Sequence, residues 1–155
     1  MNIKRFTTAL IGFPIVAAVL IWGNTYVIDV AMSIVAILSL YEYFHAVKQK
    51  AKPVEWLGYV AAIGLAFIHL IPTADMALKI VAGVIPMLVL ILFATIILTK
   101  QKYNLTDIAL TFFGIMYVVG FLLFLSLIRE MPDGRIWIWF VFFTAWGTDV
   151  FAYFA

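Results

Sequence analysis

The sequence predicts an all-α, polytopic membrane protein of about six transmembrane helices with a cytoplasmic N-terminus. Three observations carry that expectation. Hydrophobic residues make up 66% of the chain and charged residues 12%, and the mean hydropathy is +1.14. A water-soluble domain of 155 residues needs far more polar surface, because a small domain cannot hide all of its side chains. The apolar residues fall into runs of about 20, the length that crosses a hydrocarbon core of about 30 Å. Lysine and arginine are distributed unevenly between the connections that separate those runs.

The first run, Phe6 to Trp22, follows Lys4 and Arg5. The stretch "LIWGNTY" contains no small-x-small cleavage site, so an uncleaved helix is expected rather than a signal peptide. A short "GNTY" turn leads to a second run, Val27 to about Phe44. The third covers Val54 to Ile71 and is closed by Pro72; the fourth covers Ala77 to Leu98, with a kink expected at Pro86 inside it. Neighbouring helices can accommodate such an internal proline. The fifth runs from Ile108 to Ile128 and the sixth from Ile136 to the end. Aromatic residues such as Trp22, Tyr26, Tyr41, Trp56, Tyr59 and Trp137 gather near the ends of the runs, where amphipathic rings favour the membrane interface.

Lys4, Arg5, Lys48, Lys50, Lys52, Lys100 and Lys102 share one side of this topology, against Lys79, Arg129 and Arg135 on the other. Seven against three places the N-terminus in the cytoplasm, and six crossings return the C-terminus to the same face. The whole chain then forms a single transmembrane domain. Gly58, Ala62 and Ala66 repeat at four-residue spacing and predict a close helix–helix seam, whereas Gly114 and Gly120 are too far apart for a GxxxG motif. The absence of cysteine excludes disulfides and thiolate metal sites. A net charge of +2 without a basic stripe argues against nucleic-acid binding.

Asp149 is the leading candidate functional residue. It lies about 20 Å along the sixth run from Ile136, which leaves it roughly 10 Å short of the inner boundary of the core. A carboxylate at that depth costs at least about 2.5–3.5 kcal/mol by insertion scales, so it should face a polar cavity or a partner. On its helical face, Ala145 and Ala152 leave room for a ligand, Trp146 and Tyr153 could wall it, and Thr148 adds a hydroxyl next door. The alternative is a structural aspartate bonded to another helix. Glu42 and His45 share one helix face, but a single Glu-x-x-His motif does not make a di-metal carboxylate site. A solvated helix end is expected for His45, whereas Glu42 lies deeper and could line a cytoplasmic cavity. His69 is expected at the interface, Asp29 at the start of the second helix where a carboxylate suits the helix dipole, and "MPDGR" as a turn flanked by the outer-face charges Arg129 and Arg135.

The closing stretch "WGTDVFAYFA", preceded by "REMPDGRIWIWFVFF", resembles the middle of the phosphatidate cytidylyltransferase (CDP-diacylglycerol synthase) family, in which a Trp-x-x-Asp-x-x-Ala-Tyr stretch follows an apolar run. "IKRFTTALIGFPIVAAVLIWG" is similar to the first helix of that family, and "LSLYEYFHAVK" to its second. The resemblance implies a multi-pass enzyme of a bacterial inner membrane, often a homodimer, embedded among membrane lipids. It implies CTP and phosphatidate as substrates, CDP-diacylglycerol and pyrophosphate as products, and a role in phospholipid biosynthesis. It further implies a divalent cation, usually Mg²⁺, to neutralise the phosphates. By the same resemblance Asp149 is the catalytic and metal-holding residue, with Tyr153 as a pocket wall and Thr148 beside it. The family's basic and aspartate-rich signature lies downstream of this motif and has no counterpart here. The resemblance therefore implies an N-terminal part of a larger cytidylyltransferase domain, inactive alone. The competing expectation from a different functional class is a non-catalytic assembly or transporter subunit whose aspartate pairs across a helix interface.

Overall fold

The computed structural model describes residues 14 and 16–154, and of residues 74, 149, 150 and 152–154 the backbone only. Every regular element among them is helical: α1 (Thr25–Val47), α2 (Glu55–Leu65), α3 (Ala74–Leu98), α4 (Leu105–Gly114), a π-helical segment (Ile115–Gly120), α5 (Phe121–Glu130) and α6 (Gly134–Phe154). A 3₁₀ turn at Ile68–Leu70 follows α2. The first expected run lies largely outside the described residues, although 16–22 are helical. Among the described residues three helices are long and apolar enough to cross a membrane: Thr25–Val47, Asp75–Leu98 and Leu105–Glu130, the last being α4, the π segment and α5 taken as one.

Local chemistry sets the helix starts. Asn24 caps α1 by accepting from the Val27 N–H at 2.9 Å, and Thr73 caps α3 by accepting from Met76. At α4, Asn104 and Asp107 form a reciprocal capping box in which each side chain accepts from the other's backbone N–H. Such caps satisfy the donors that a helix start leaves without intrahelical partners. Pro86 does not interrupt α3.

The third expected run departs from the sequence reading. A span to Ile71 was the expectation, but the α-helix ends at Leu65 after 11 residues. Pro72 disfavours helical backbone at the residue before it, and Ile71 is extended at φ −84° and ψ 123°. The chain between them tightens into the 3₁₀ turn, which swings His69 inward.

Helices α1, α2 and the continuous α4–α5 rod pack around a core that includes Leu40, Phe44, Leu57, Ile115 and Leu123. Small residues allow the close approaches. A Cβ on Gly58 would lie 2.8 Å from the Phe44 ring, and one turn further on Ala62 offers its carbonyl to the Ser33 hydroxyl at 2.9 Å. The seam expected from Gly58 and Ala62 is thus the α1–α2 contact. Gly114 serves the α1–α4 contact: the Tyr43 ring lies where its Cβ would be, and the Tyr43 hydroxyl donates to the Leu110 carbonyl at 2.8 Å. Helix α3 stands off from α2. An apolar cleft of about 500 Å³ opens between them, bordered by Gly64, Val84, Leu88 and Gly120.

At one end of the bundle the α1–α2 and α3–α4 connections meet. The Lys52 N–H donates to Asp107 Oδ1 at 2.6 Å, and the Val54 N–H donates to Thr111 Oγ1 at 2.9 Å. Lysines crowd this end. The opposite end gathers the start of α1, the 3₁₀ turn and the end of α5.

Candidate functional site

Helix α6 carries the residues singled out in the sequence. It starts from the "MPDGR" turn, where Asp133 has a φ of +59° and the Gly134 N–H donates to the Met131 carbonyl at 2.8 Å. A Cβ on Gly134 would collide with the Ile128 and Arg129 carbonyls, so this turn needs its glycine. From there α6 leans on α5, with Ile138 completely buried. Asp149 falls about 22 Å from the helix start at 1.5 Å per residue. Thr148 is exposed and donates its hydroxyl to the Thr144 carbonyl at 2.8 Å, which leaves the oxygen able to accept a further bond. Thr148, Asp149 and Tyr153 therefore share the final two turns of one helix. The side chains of Asp149 and Tyr153 lie outside the described residues. Glu42 and His45 are exposed on α1; His45 stacks on Tyr41, as expected for a solvated helix end. Among the described residues no group of three His, Cys, Asp or Glu side chains could hold a metal ion.

A second polar centre closes the opposite end of the bundle, and sequence reasoning missed it. Asp29, one turn into α1, is completely buried. Its Oδ2 meets Nδ1 of His69, and Nε2 of the same ring lies 2.7 Å from Glu130 Oε1. The second contact is an ion-pair approach rather than an aligned hydrogen bond. Next to Glu130, the buried Arg129 donates from Nη2 to the Gly23 carbonyl at 3.2 Å. His69, expected at the interface, is thus enclosed, and Arg129, expected as an outer-face charge, points into the protein. Tyr26 packs edge-on to the imidazole, with 6.3 Å between ring centroids.

Electrostatics explains why these residues assemble. An unpaired charge in apolar surroundings costs several kcal/mol, so the buried Asp29 is met by the His69 ring and the buried Arg129 by the Gly23 carbonyl. Asp29 Oδ1, Ser126 Oγ and Arg129 Nη1 are buried at this same end without hydrogen-bond partners among the described residues. The signal available in the sequence was joint. Asp29, His69, Arg129 and Glu130 all fall on one side of the expected topology. The arrangement ties three helix ends together.

The comparisons with known proteins bear on the whole chain. No curated protein and no solved structure matches it. The model of the cytidylyltransferase family matches residues 3–155, a region that takes in the N-terminal segment, the helical bundle and the Asp149 stretch of α6. This coverage joins the resemblance carried by "WGTDVFAYFA" to the all-helical, apolar architecture, and on it the chain belongs to the cytidylyltransferase family.

Proposed function

We propose that the chain is part of a phosphatidate cytidylyltransferase, which joins CTP to phosphatidate and releases pyrophosphate and CDP-diacylglycerol. The observation that carries this reading is the family match over residues 3–155 in a chain with three helices able to cross a membrane. A cytidylyl transfer built among apolar helices calls for an acceptor that resides in the bilayer, and phosphatidate combines a phosphate nucleophile with acyl chains. A phosphate oxygen of phosphatidate forms a bond to the α-phosphorus of CTP, and the bond from that phosphorus to the β-phosphate oxygen breaks. Catalysis of such a transfer rests on positioning and on stabilising negative charge.

In this reading the chain crosses a bacterial inner membrane six times with its N-terminus in the cytoplasm, and the lysine end faces the cytoplasm. Asp149 then sits on the cytoplasmic side of the bilayer midplane, within reach of a soluble nucleotide. Asp149 holds Mg²⁺, and Thr148 and Tyr153 line the substrate pocket. A single carboxylate suits Mg²⁺, which is commonly held by one or two carboxylates together with substrate phosphates and water. When bound, the cation neutralises the crowded phosphates.

The test is an assay of membranes from cells expressing the protein from its own gene, supplied with radiolabelled CTP and phosphatidate. Label should enter a lipid product only when both substrates are present. Transfer of cytidylate to a water-soluble acceptor, with none to lipid, would overturn the assignment of phosphatidate.

A further inference from the structure

The lysine end of the bundle holds a surface pocket of about 310 Å³, enclosed jointly by the α1–α2 and α3–α4 connections. Lys50 and Lys52 line it from one connection and Lys102 from the other, with Gln101 and Asn104 between them. The acidic groups nearby are already engaged. Asp107 is buried, and its two oxygens accept from the backbone N–H groups of Lys52 and Asn104 at 2.6 and 2.8 Å. Glu55 pairs with Lys48 at 2.8 Å, and that hydrogen bond raises the Lys48 pKa above the ordinary lysine value. Among the described residues Lys50, Lys52 and Lys102 form no salt bridge; Lys102 Nζ lies 5.6 Å from the centre of the Tyr103 ring, and Asp107, held by the two backbone N–H groups, is the one carboxylate in the pocket lining.

The surroundings specify the kind of anion. Ile97 and Leu98, directly before the α3–α4 connection, are 77% and 81% exposed, and Leu105, directly after Asn104, is 62% exposed. A positive pocket on a connection whose flanking helix ends carry exposed apolar side chains matches a molecule with a phosphate at one end and hydrocarbon at the other. We infer that Lys50, Lys52 and Lys102 form a binding site for the headgroup phosphate of an anionic phospholipid, whose acyl chains run along Ile97, Leu98 and Leu105. Basic side chains at the cytoplasmic end of transmembrane helices attract such headgroups. The inference stands on Lys50, Lys52 and Lys102 and does not depend on the reaction proposed for Asp149.

The experiment is native mass spectrometry of the purified protein in detergent, titrated with phosphatidylglycerol or with phosphatidylcholine of the same acyl chains. Phosphatidylglycerol adducts should persist at collision energies that strip phosphatidylcholine. Lys50→Gln, Lys52→Gln and Lys102→Gln combined should weaken phosphatidylglycerol retention at least about tenfold. The three Lys→Arg changes should preserve it, and Lys79→Gln at the opposite end should have no effect. An unchanged circular dichroism spectrum establishes that the glutamine variant is folded; if its spectrum changes, the separate Lys50→Gln and Lys102→Gln proteins replace it, each with a smaller loss expected. Equal retention of the two lipids, or undiminished retention in the folded glutamine variants, would overturn the inference. So would displacement of the lipid by inorganic phosphate or CTP at comparable concentration, which would make this a site for soluble anions.

Discussion

Nε2 of His69 lies 2.7 Å from Glu130 while the opposite ring nitrogen meets Asp29, so one imidazole joins the start of α1 to the end of α5. Its two partners differ in environment: the Asp29 side chain is fully enclosed, whereas that of Glu130 is 32% exposed. His69→Ala should therefore cost about 3–5 kcal/mol, because it strands a buried carboxylate. Glu130→Gln should cost no more than about 1 kcal/mol, since water screens the exposed partner. Thermal unfolding in detergent, followed by tryptophan fluorescence, distinguishes the two; equal losses would contradict the unequal burial.

A second prediction concerns the α1–α4 contact. The Tyr43 ring occupies the place of a Cβ on Gly114, so Gly114→Ala should force the ring aside and weaken its bond to the Leu110 carbonyl. Overpacking of this kind costs about 1–3 kcal/mol. Combined with Tyr43→Ala, the glycine substitution should add little, a non-additivity that a double-mutant cycle of unfolding free energies measures directly.

Asp107 accepts from the Lys52 and Asn104 backbones at once. Asp107→Ala leaves both donors unsatisfied and should cost about 2–3 kcal/mol, while Asp107→Asn, which retains one carbonyl oxygen, should cost less. Hydrogen exchange at the Lys52 and Asn104 amides provides the local readout. Both amides should exchange faster in the alanine variant, with protection elsewhere in α1 unchanged.

The functional prediction falls on Asp149. In membranes from cells expressing the protein from its own gene, Asp149→Asn should lower cytidylyl transfer at least about a hundredfold while membrane insertion and expression survive. Normal turnover in the variant would remove Asp149 from the site. Thr148→Val should produce a smaller loss, seen mainly as a raised KM.

Much of the fold was legible because hydrophobic runs and proline and asparagine punctuation are local signals. The run from Ala77 to Leu98 and the observed Ala74–Leu98 helix agree to within a turn, and the Gly58–Ala62 spacing identified a real seam. The end of α2 was harder to read. Ile68, His69 and Leu70 continue an apolar run, and the turn there answers to Asp29 and Glu130, which are 40 and 61 residues away in sequence. The same holds for Arg129, whose partner is the Gly23 carbonyl. Charge pairing across long sequence separations leaves no periodicity to detect. The family motif, by contrast, was legible at Asp149 because it is contiguous.

The shortness of α2 bears on the bilayer itself. Eleven residues rise about 16 Å, close to half of a 30 Å hydrocarbon core, and the non-helical backbone beyond them cannot lie bare against lipid tails. A helix this short is mismatched to such a core, and the 3₁₀ turn beyond it is shielded in part by protein, with Ile68 buried and His69 enclosed between Asp29 and Glu130. Such a hydrophobic mismatch carries a modest cost for each ångström of thickness. Bilayers of shorter-chain lipids should accommodate this side of the molecule with less deformation than thick ones, which makes membrane thickness a variable to which the protein's stability responds.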